Sequence, residues 1–165
     1  MGSKKKKYFG ELILRLVDQK TALELMYPES KVYIKNGVLT WTGNVKPSPC
    51  SKEYTLRIEY RMGKYPITWL VNEKLDPETY AQIPHKYNVD LSEGTVKLCL
   101  FVPRKREWTK KCSIADTIVP WAIEWLYFYE IWQITGEWKG GGEHPTPKLC
   151  RSSDKYREKD EDQEG

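Results

Sequence analysis

The sequence predicts an α+β fold in which two helices pack on a single antiparallel sheet. Three observations predict it: apolar residues at helical spacing near the start, strand-like patterns through the middle, and a second apolar helical pattern near the end. Strands that follow one another, rather than alternating with helices, are typical of an antiparallel sheet. A chain of 165 residues is large enough to bury one core, so we expect one domain.

The elements at the start of this order are a helix and three strands. Apolar residues recur three or four positions apart over residues 8–26 and Pro28 closes the segment, which predicts the first helix. Asn36-Gly37 separates two β-prone runs and predicts a hairpin, because both residues tolerate positive φ. Apolar and polar residues alternate in YTLRIEYR, residues 54–61, and YPITWLV follows through Pro66. We interpret each of these two runs as a strand.

A loop, a short strand and a helix are predicted for the rest of the domain. The polar stretch 72–88, with Pro77 and Pro84, predicts a long loop, and long loops in compact domains are often functional. The next strand is indicated by alternating apolar residues at 96, 98, 100 and 102. A helix is predicted over 116–135, because Pro120 suits a first helical turn and Gly136 suits the position after the last.

Composition excludes several classes of protein. A mean hydropathy of −0.68 with 30% charged residues indicates a solvated surface, and acidic residues interrupt the apolar stretch 114–134, which argues against a membrane span. No apolar segment follows the N-terminal lysines, so we expect a cytoplasmic protein. The net charge of +4 is too small by itself to indicate a nucleic-acid-binding protein. The cysteines form no Cys-x-x-Cys pair, and we expect neither a metal nor a cofactor.

Cys99 is the candidate nucleophile. If Val96, Leu98 and Leu100 face the core, strand alternation turns Cys99 to the other side, together with Phe101. Neighbouring cations would favour its thiolate form, which is the reactive one; they are Lys97, Arg104, Lys105, Arg106, Lys110 and Lys111. The alternative interpretation is a small apolar core residue, since free cysteine is often buried. Cys112 is a rival thiol in an equally basic stretch.

Three residues of the predicted loop could assist a thiol. His85 could orient or deprotonate an incoming group, or it could hold the loop in place by hydrogen bonds. Tyr87 and Asn88 are polar donors that could stabilise a developing oxyanion. The sequence alone does not decide between these roles.

The order of these parts resembles the ubiquitin-conjugating enzyme (UBC) fold, which has an N-terminal helix, an antiparallel meander, a long active-site loop, a cysteine and a C-terminal helix. YTLRIEYRMGKYPITWLV resembles the family's strand leading into Tyr-Pro, IPHKYN its His-Pro-Asn loop, and LCLFVPRKREW its Ile-Cys-Leu with a downstream Trp, over about residues 8–135. Within that family, LCLF, Trp108 and IADTIVPWAIEWLYFYEIWQITGEW are most similar to stand-alone conjugating-enzyme-like proteins of bacterial type II CBASS anti-phage operons.

The resemblance implies a thioester enzyme. Cys99 would accept the C-terminal glycine of a partner cGAS-like nucleotidyltransferase and pass it to a lysine or another amine of a second protein, priming anti-phage defence. His85 matches the family's histidine, whereas Lys86 replaces the proline and Asn88 stands one place out of step, so the oxyanion role falls to Tyr87 or Asn88. The chain has no nucleotide-binding glycine loop, so the acyl group would need an outside activating step. The resemblance also sets the expected domain boundaries: a basic leader at 1–7, a UBC-like catalytic domain at 8–138 and a Gly-rich, charged tail at 139–165.

Two other functions are compatible with the same residues. The altered His-Lys-Tyr-Asn loop would suit a catalytically inactive UBC-like binding module that regulates the partner, with the aromatic-rich last helix as its docking surface. That Trp and Phe ladder has helical spacing, which is more often typical of a core. Binding of RNA or DNA would use Lys4 to Lys7 and the basic stretch 104–111, with aromatic residues stacking on bases.

Overall fold

The computed structural model describes residues 12–140. Its helices are α1 (Leu16–Met26), α2 (Pro77–Gln82) and α3 (Ile118–Thr135), and a short 3-10 turn covers Pro103–Lys105. The strands are β1 (Lys31–Lys35), β2 (Val38–Val45), β3 (Tyr54–Arg61), β4 (Ile67–Val71), β5 (Lys86–Asp90) and β6 (Thr95–Leu98). They form one antiparallel sheet in the order β1-β2-β3-β4-β6-β5. The α+β prediction, with a UBC-like order of elements, is confirmed.

The hairpin and the alternating strand are confirmed in detail. Asn36 and Gly37 have φ of 52° and 71°, the left-handed conformation that a two-residue turn requires at both positions. In β3 the apolar residues at 54, 56, 58 and 60 are all buried, and the polar residues between them face outward. Helix α3 covers this inner face, since Tyr54 on β3 meets Tyr129 edge to face with ring centroids 6.3 Å apart.

Both helices packed on the sheet are where the sequence predicts them, although α1 begins later than expected. Arg15 and Asp18 cap its start, the Arg15 N–H donating to the Asp18 carboxylate at 2.8 Å, and residues 12–14 are not helical. There the Leu14 N–H donates to the Lys110 carbonyl at 3.1 Å, so this residue bonds to the chain ahead of α3 instead of extending the helix. The part of the prediction that covers residues 8–11 lies outside the described residues, as do the leader and most of the tail.

The predicted long loop over 72–88 is wrong, because α2 lies within it and β5 begins at residue 86. Asp76 caps α2, accepting from the Thr79 N–H at 3.0 Å, and Pro77 occupies the first turn. Strand β5 pairs with β6 through a tight turn in which Asp90 accepts from the Ser92 N–H at 2.9 Å. The hairpin of β5 and β6 fills the interval between His85 and Cys99.

Helix α3 supplies much of the core and ends as predicted. Gly136 follows its last residue with φ of 72°, and its N–H donates to the Trp132 carbonyl at 2.8 Å. Trp121 and Trp125 are buried, while Phe128 and Trp132 are half-buried, so the aromatic ladder serves chiefly as core. Among residues 12–140, no helix is both long and apolar enough to cross a membrane.

Candidate active site

Cys99 lies at the point where the sheet ends. It follows the last residue of β6 directly, and its backbone N–H donates to the carbonyl of His85 at 2.9 Å. The side chain is a free thiol of intermediate exposure. The structure therefore places the sulfur at the margin of the core, neither sealed in it nor fully exposed.

The strand alternation used to predict that exposure holds through Leu100, which is buried as expected, and fails at Phe101. Phe101 is also buried, with 7% of its surface exposed, so the expectation that it shares an outward face with Cys99 is wrong. The register of β4 and β6 pairs Trp69 with Lys97, and β6 ends at Leu98. Beyond that point strand pairing no longer fixes which side each side chain faces.

His85 contacts Cys99 through its backbone carbonyl, not through its imidazole ring. Its φ is 51°, a left-handed conformation that histidine adopts more readily than most residues. Its carbonyl accepts from the Cys99 N–H and also from Nε1 of Trp125 at 3.0 Å. The imidazole ring packs against Trp138, with centroids 5.1 Å apart. These contacts are those of a residue that anchors the chain around the thiol.

Tyr87 and Asn88, the two candidate oxyanion donors, lie in different surroundings. The Tyr87 side chain hydrogen-bonds with the thiol of Cys99, and this bond, reinforced by partial burial and the charge of Cys99, raises the pKa of Tyr87 to about 12. The Lys97 ammonium lies 5.4 Å from the centre of the Tyr87 ring. Asn88 is exposed and lines a separate hollow with Arg57 and Trp69. The structure thus brings Tyr87, but not Asn88, to the sulfur.

The Tyr87 titration provides a direct test of this contact. Because hydrogen bonding with Cys99 is the largest cause of the shift, ahead of burial, we expect Cys99→Ala to return the pKa of Tyr87 from about 12 towards the ordinary value of about 10. Absorbance of tyrosinate at alkaline pH would be measured for the protein and its Tyr87→Phe variant, and their difference isolates this one tyrosine. The same comparison, made between Cys99→Ala and the Cys99→Ala, Tyr87→Phe double variant, gives the change in the pKa of Tyr87 that is due to Cys99. An unchanged Tyr87 titration would show that the hydroxyl and the sulfur do not interact.

The basic stretch after Cys99 is held as a turn at the surface. Glu107 accepts from the Val102 N–H at 2.7 Å, and Arg106 closes the turn with φ of 52°. Arg104 and Lys105 are exposed. Cys112, the rival candidate, is disulfide-bonded, and only 1% of its surface is exposed. It is therefore not a free thiol in this structure, and burial also puts it out of reach of a protein tail.

Sequence reasoning missed the residues that support the thiol from a distance. Trp125 reaches His85 across 40 positions of the chain, and Trp138 packs on both His85 and Trp125. Trp125 belongs to the helical Trp and Phe pattern, which predicts core packing, and nothing in the sequence near Trp138 indicates a contact with His85. Glu107 gave no signal, since one acid in a basic stretch suggests an ordinary surface charge.

Comparison with known families decides the classification. A family model described as type II CBASS E2 protein matches residues 19–145, well over half of the chain. The chain belongs to the type II CBASS E2 family. The matched span contains all six strands, α3 and Cys99, so the features that make this CBASS E2 protein conjugating-enzyme-like lie inside it. A search among curated proteins found no significant match.

Proposed function

We propose that this CBASS E2 protein carries the C-terminal glycine of a partner protein as a thioester on Cys99 and transfers it to an amine. The observation that carries the proposal is the position of Cys99: a free, partly exposed thiol that directly follows β6 and whose backbone is fixed by the His85 carbonyl. The family to which the chain belongs supports the same chemistry. The partner we propose is a cGAS-like nucleotidyltransferase, and the acceptor is a lysine or another amine of a second protein.

The chemistry requires two acyl transfers. In the first, the thiolate of Cys99 attacks the carbonyl carbon of an activated glycine, the bond to the activating group breaks, and that group leaves with its electron pair. In the second, an amine attacks the thioester, the C–S bond breaks, an amide forms, and the thiolate recovers a proton. A thioester suits this sequence because it is reactive towards amines and its thiolate is a good leaving group.

Tyr87 is the group we assign to the oxyanion. Each transfer passes through a tetrahedral intermediate whose oxygen carries a negative charge, and a fixed hydroxyl donor stabilises it. A pKa raised to about 12 keeps the Tyr87 phenol protonated at neutral pH, so it is available as a donor. Asn88 lines a separate hollow, so its side chain would have to move before it could stabilise the oxyanion.

The same arrangement weakens the case for an inactive binding module. Such a module was expected to dock through the aromatic residues of α3, but Trp121 and Trp125 are buried and Trp125 bonds to the residue that anchors Cys99. These side chains therefore contribute to the shape of the thiol site. We favour an acyl carrier for this reason.

The test is the intact mass of the protein produced together with its nucleotidyltransferase partner. We expect a mass equal to the sum of the two chains less one water, which is lost when a thioester forms from a carboxylate and a thiol. Treatment with hydroxylamine, which cleaves thioesters, should release this protein at its own mass with its thiol restored, and release the partner with its C-terminal glycine converted to a hydroxamate. An absence of adduct in the presence of an activating system would count against the thioester and in favour of a regulatory module. An adduct that resists hydroxylamine would exclude a thioester.

A further inference from the structure

An apolar pocket lies beside the pair formed by Tyr87 and Cys99. Its volume is about 260 Å³, and its walls include Tyr65, Ile67, Tyr87, Leu98, Phe101 and Pro103. Leu98 precedes Cys99 directly in the chain, and Lys97, also in the pocket wall, lies 5.4 Å from the centre of the Tyr87 ring. The pocket therefore adjoins the site at which the acyl group would be carried.

The walls of the pocket are held in place by contacts of their own. The rings of Tyr65 and Phe101 meet with centroids 5.7 Å apart, and the Tyr65 hydroxyl donates to the Pro103 carbonyl at 3.4 Å. Phe101 in turn packs on Trp121 of α3, at 6.3 Å between centroids. An occupant would meet a preformed surface, so little ordering entropy would be lost on binding.

Size and surroundings identify the class of occupant. Pockets for whole small-molecule ligands usually measure about 300–1,000 Å³, so this one suits a single large side chain better than a cofactor. Its lining is mostly hydrocarbon and aromatic, which favours an apolar side chain. Lys97 stands in the pocket wall and the exposed Arg104 follows Pro103, so the approach is basic and favours a tail with acidic residues over a lysine-rich one.

We propose that this pocket binds a large apolar side chain that the acyl donor carries close to its terminal glycine. An extended chain advances about 3.3–3.6 Å per residue, and the pocket shares Tyr87 with the thiol. The side chain therefore belongs to one of roughly the three residues before the glycine. This assignment rests on the proposed function, and it makes the pocket the determinant of which protein tails the enzyme accepts.

The experiment uses synthetic peptide thioesters in place of the partner. Each peptide ends in glycine, joined to a small thiol, and carries Phe, Leu, Ala or Asp at one of the three preceding positions. Cys99 attacks the thioester carbonyl, the small thiol leaves, and the acylated protein is quantified by intact mass. At one of these positions we expect Phe or Leu to react about tenfold faster than Ala, with Asp slowest, as for apolar side chains in an apolar subsite.

Two variants connect the preference to the pocket. Tyr65→Ala removes an exposed wall residue and should bring the Phe and Ala peptides to within about twofold of each other. Tyr33→Ala is the matched control: this tyrosine is similarly exposed but lies on β1, at the opposite edge of the sheet, and should keep the full preference. Ile67→Glu is the second wall variant, and circular dichroism would verify that each variant is folded.

The outcomes separate this inference from the proposed function. If Cys99 takes up no peptide at all, the acyl-carrier function fails. If it takes up every peptide at the same rate, or if Tyr65→Ala and Ile67→Glu both keep the preference, the pocket assignment fails while the thioester function stands. Acylation that persists in Cys99→Ala would show that another thiol, such as the exposed Cys50, is being modified.

Discussion

A Cys99→Ala variant is expected to form no adduct with the partner protein, and Cys99→Ser is expected to form one that hydroxylamine cleaves far more slowly. Alanine removes the nucleophile, which costs more than about a thousandfold in rate in enzymes that work by covalent catalysis. Serine keeps a nucleophilic atom in nearly the same place but yields an oxygen ester, which is much less reactive towards amines than a thioester. The measurement is the intact mass of each variant after incubation with partner and activating system, before and after hydroxylamine.

Cys50→Ala is the matched control for this experiment. Cys50 is also a free thiol and is more exposed than Cys99, but it lies in the segment between β2 and β3. Its variant should form the adduct at the wild-type rate. An adduct on Cys99→Ala that disappears in a Cys50→Ala, Cys99→Ala double variant would move the reaction to Cys50 and overturn the assignment.

The parts of the fold that follow local rules were predictable from the sequence. Asn36-Gly37 specifies its hairpin through backbone conformation alone, and the alternation in β3 needs no knowledge of its neighbours. Gly136 marks the end of α3 by the same kind of local preference. Each of these signals lies within a few residues of the feature that it predicts.

The arrangement of the site depends on contacts that are distant in sequence. His85 acquires its role because Trp125 and the Cys99 backbone both donate to its carbonyl, and nothing near residue 85 indicates this. The choice between Tyr87 and Asn88 depends on an irregular register between Lys86 and Val89 in β5. A bulge of this kind changes which side chain faces the partner strand, so the pattern of residues left both candidates open.

Gln19→Ala is expected to lower the free energy of unfolding by about 3–5 kcal/mol. Gln19 is fully buried in α1, where its side chain donates to the Cys112 carbonyl at 2.8 Å and accepts from the Ile114 N–H at 2.8 Å. Alanine leaves the Ile114 N–H buried without its acceptor, removes a donor from Cys112, and opens a cavity. Urea denaturation followed by tryptophan fluorescence would measure the change, with an unchanged slope indicating that cooperativity is kept.

Gln19→Leu shows which part of that loss in stability comes from hydrogen bonding, and Gln82→Ala is the control for replacing an exposed glutamine. Leucine restores most of the volume but not the bonds, so we expect it to remain destabilised by roughly 2 kcal/mol. Gln82 is exposed at the end of α2, and its alanine variant should change stability by less than about 0.5 kcal/mol. A loss below about 1 kcal/mol for Gln19→Ala would mean that the buried amide is not what joins α1 to the chain ahead of α3. These bonds involve none of the residues placed at the thiol site. A Gln19→Ala protein that remains folded at low temperature should therefore still form the thioester, which separates the stability of the scaffold from the chemistry of the thiol.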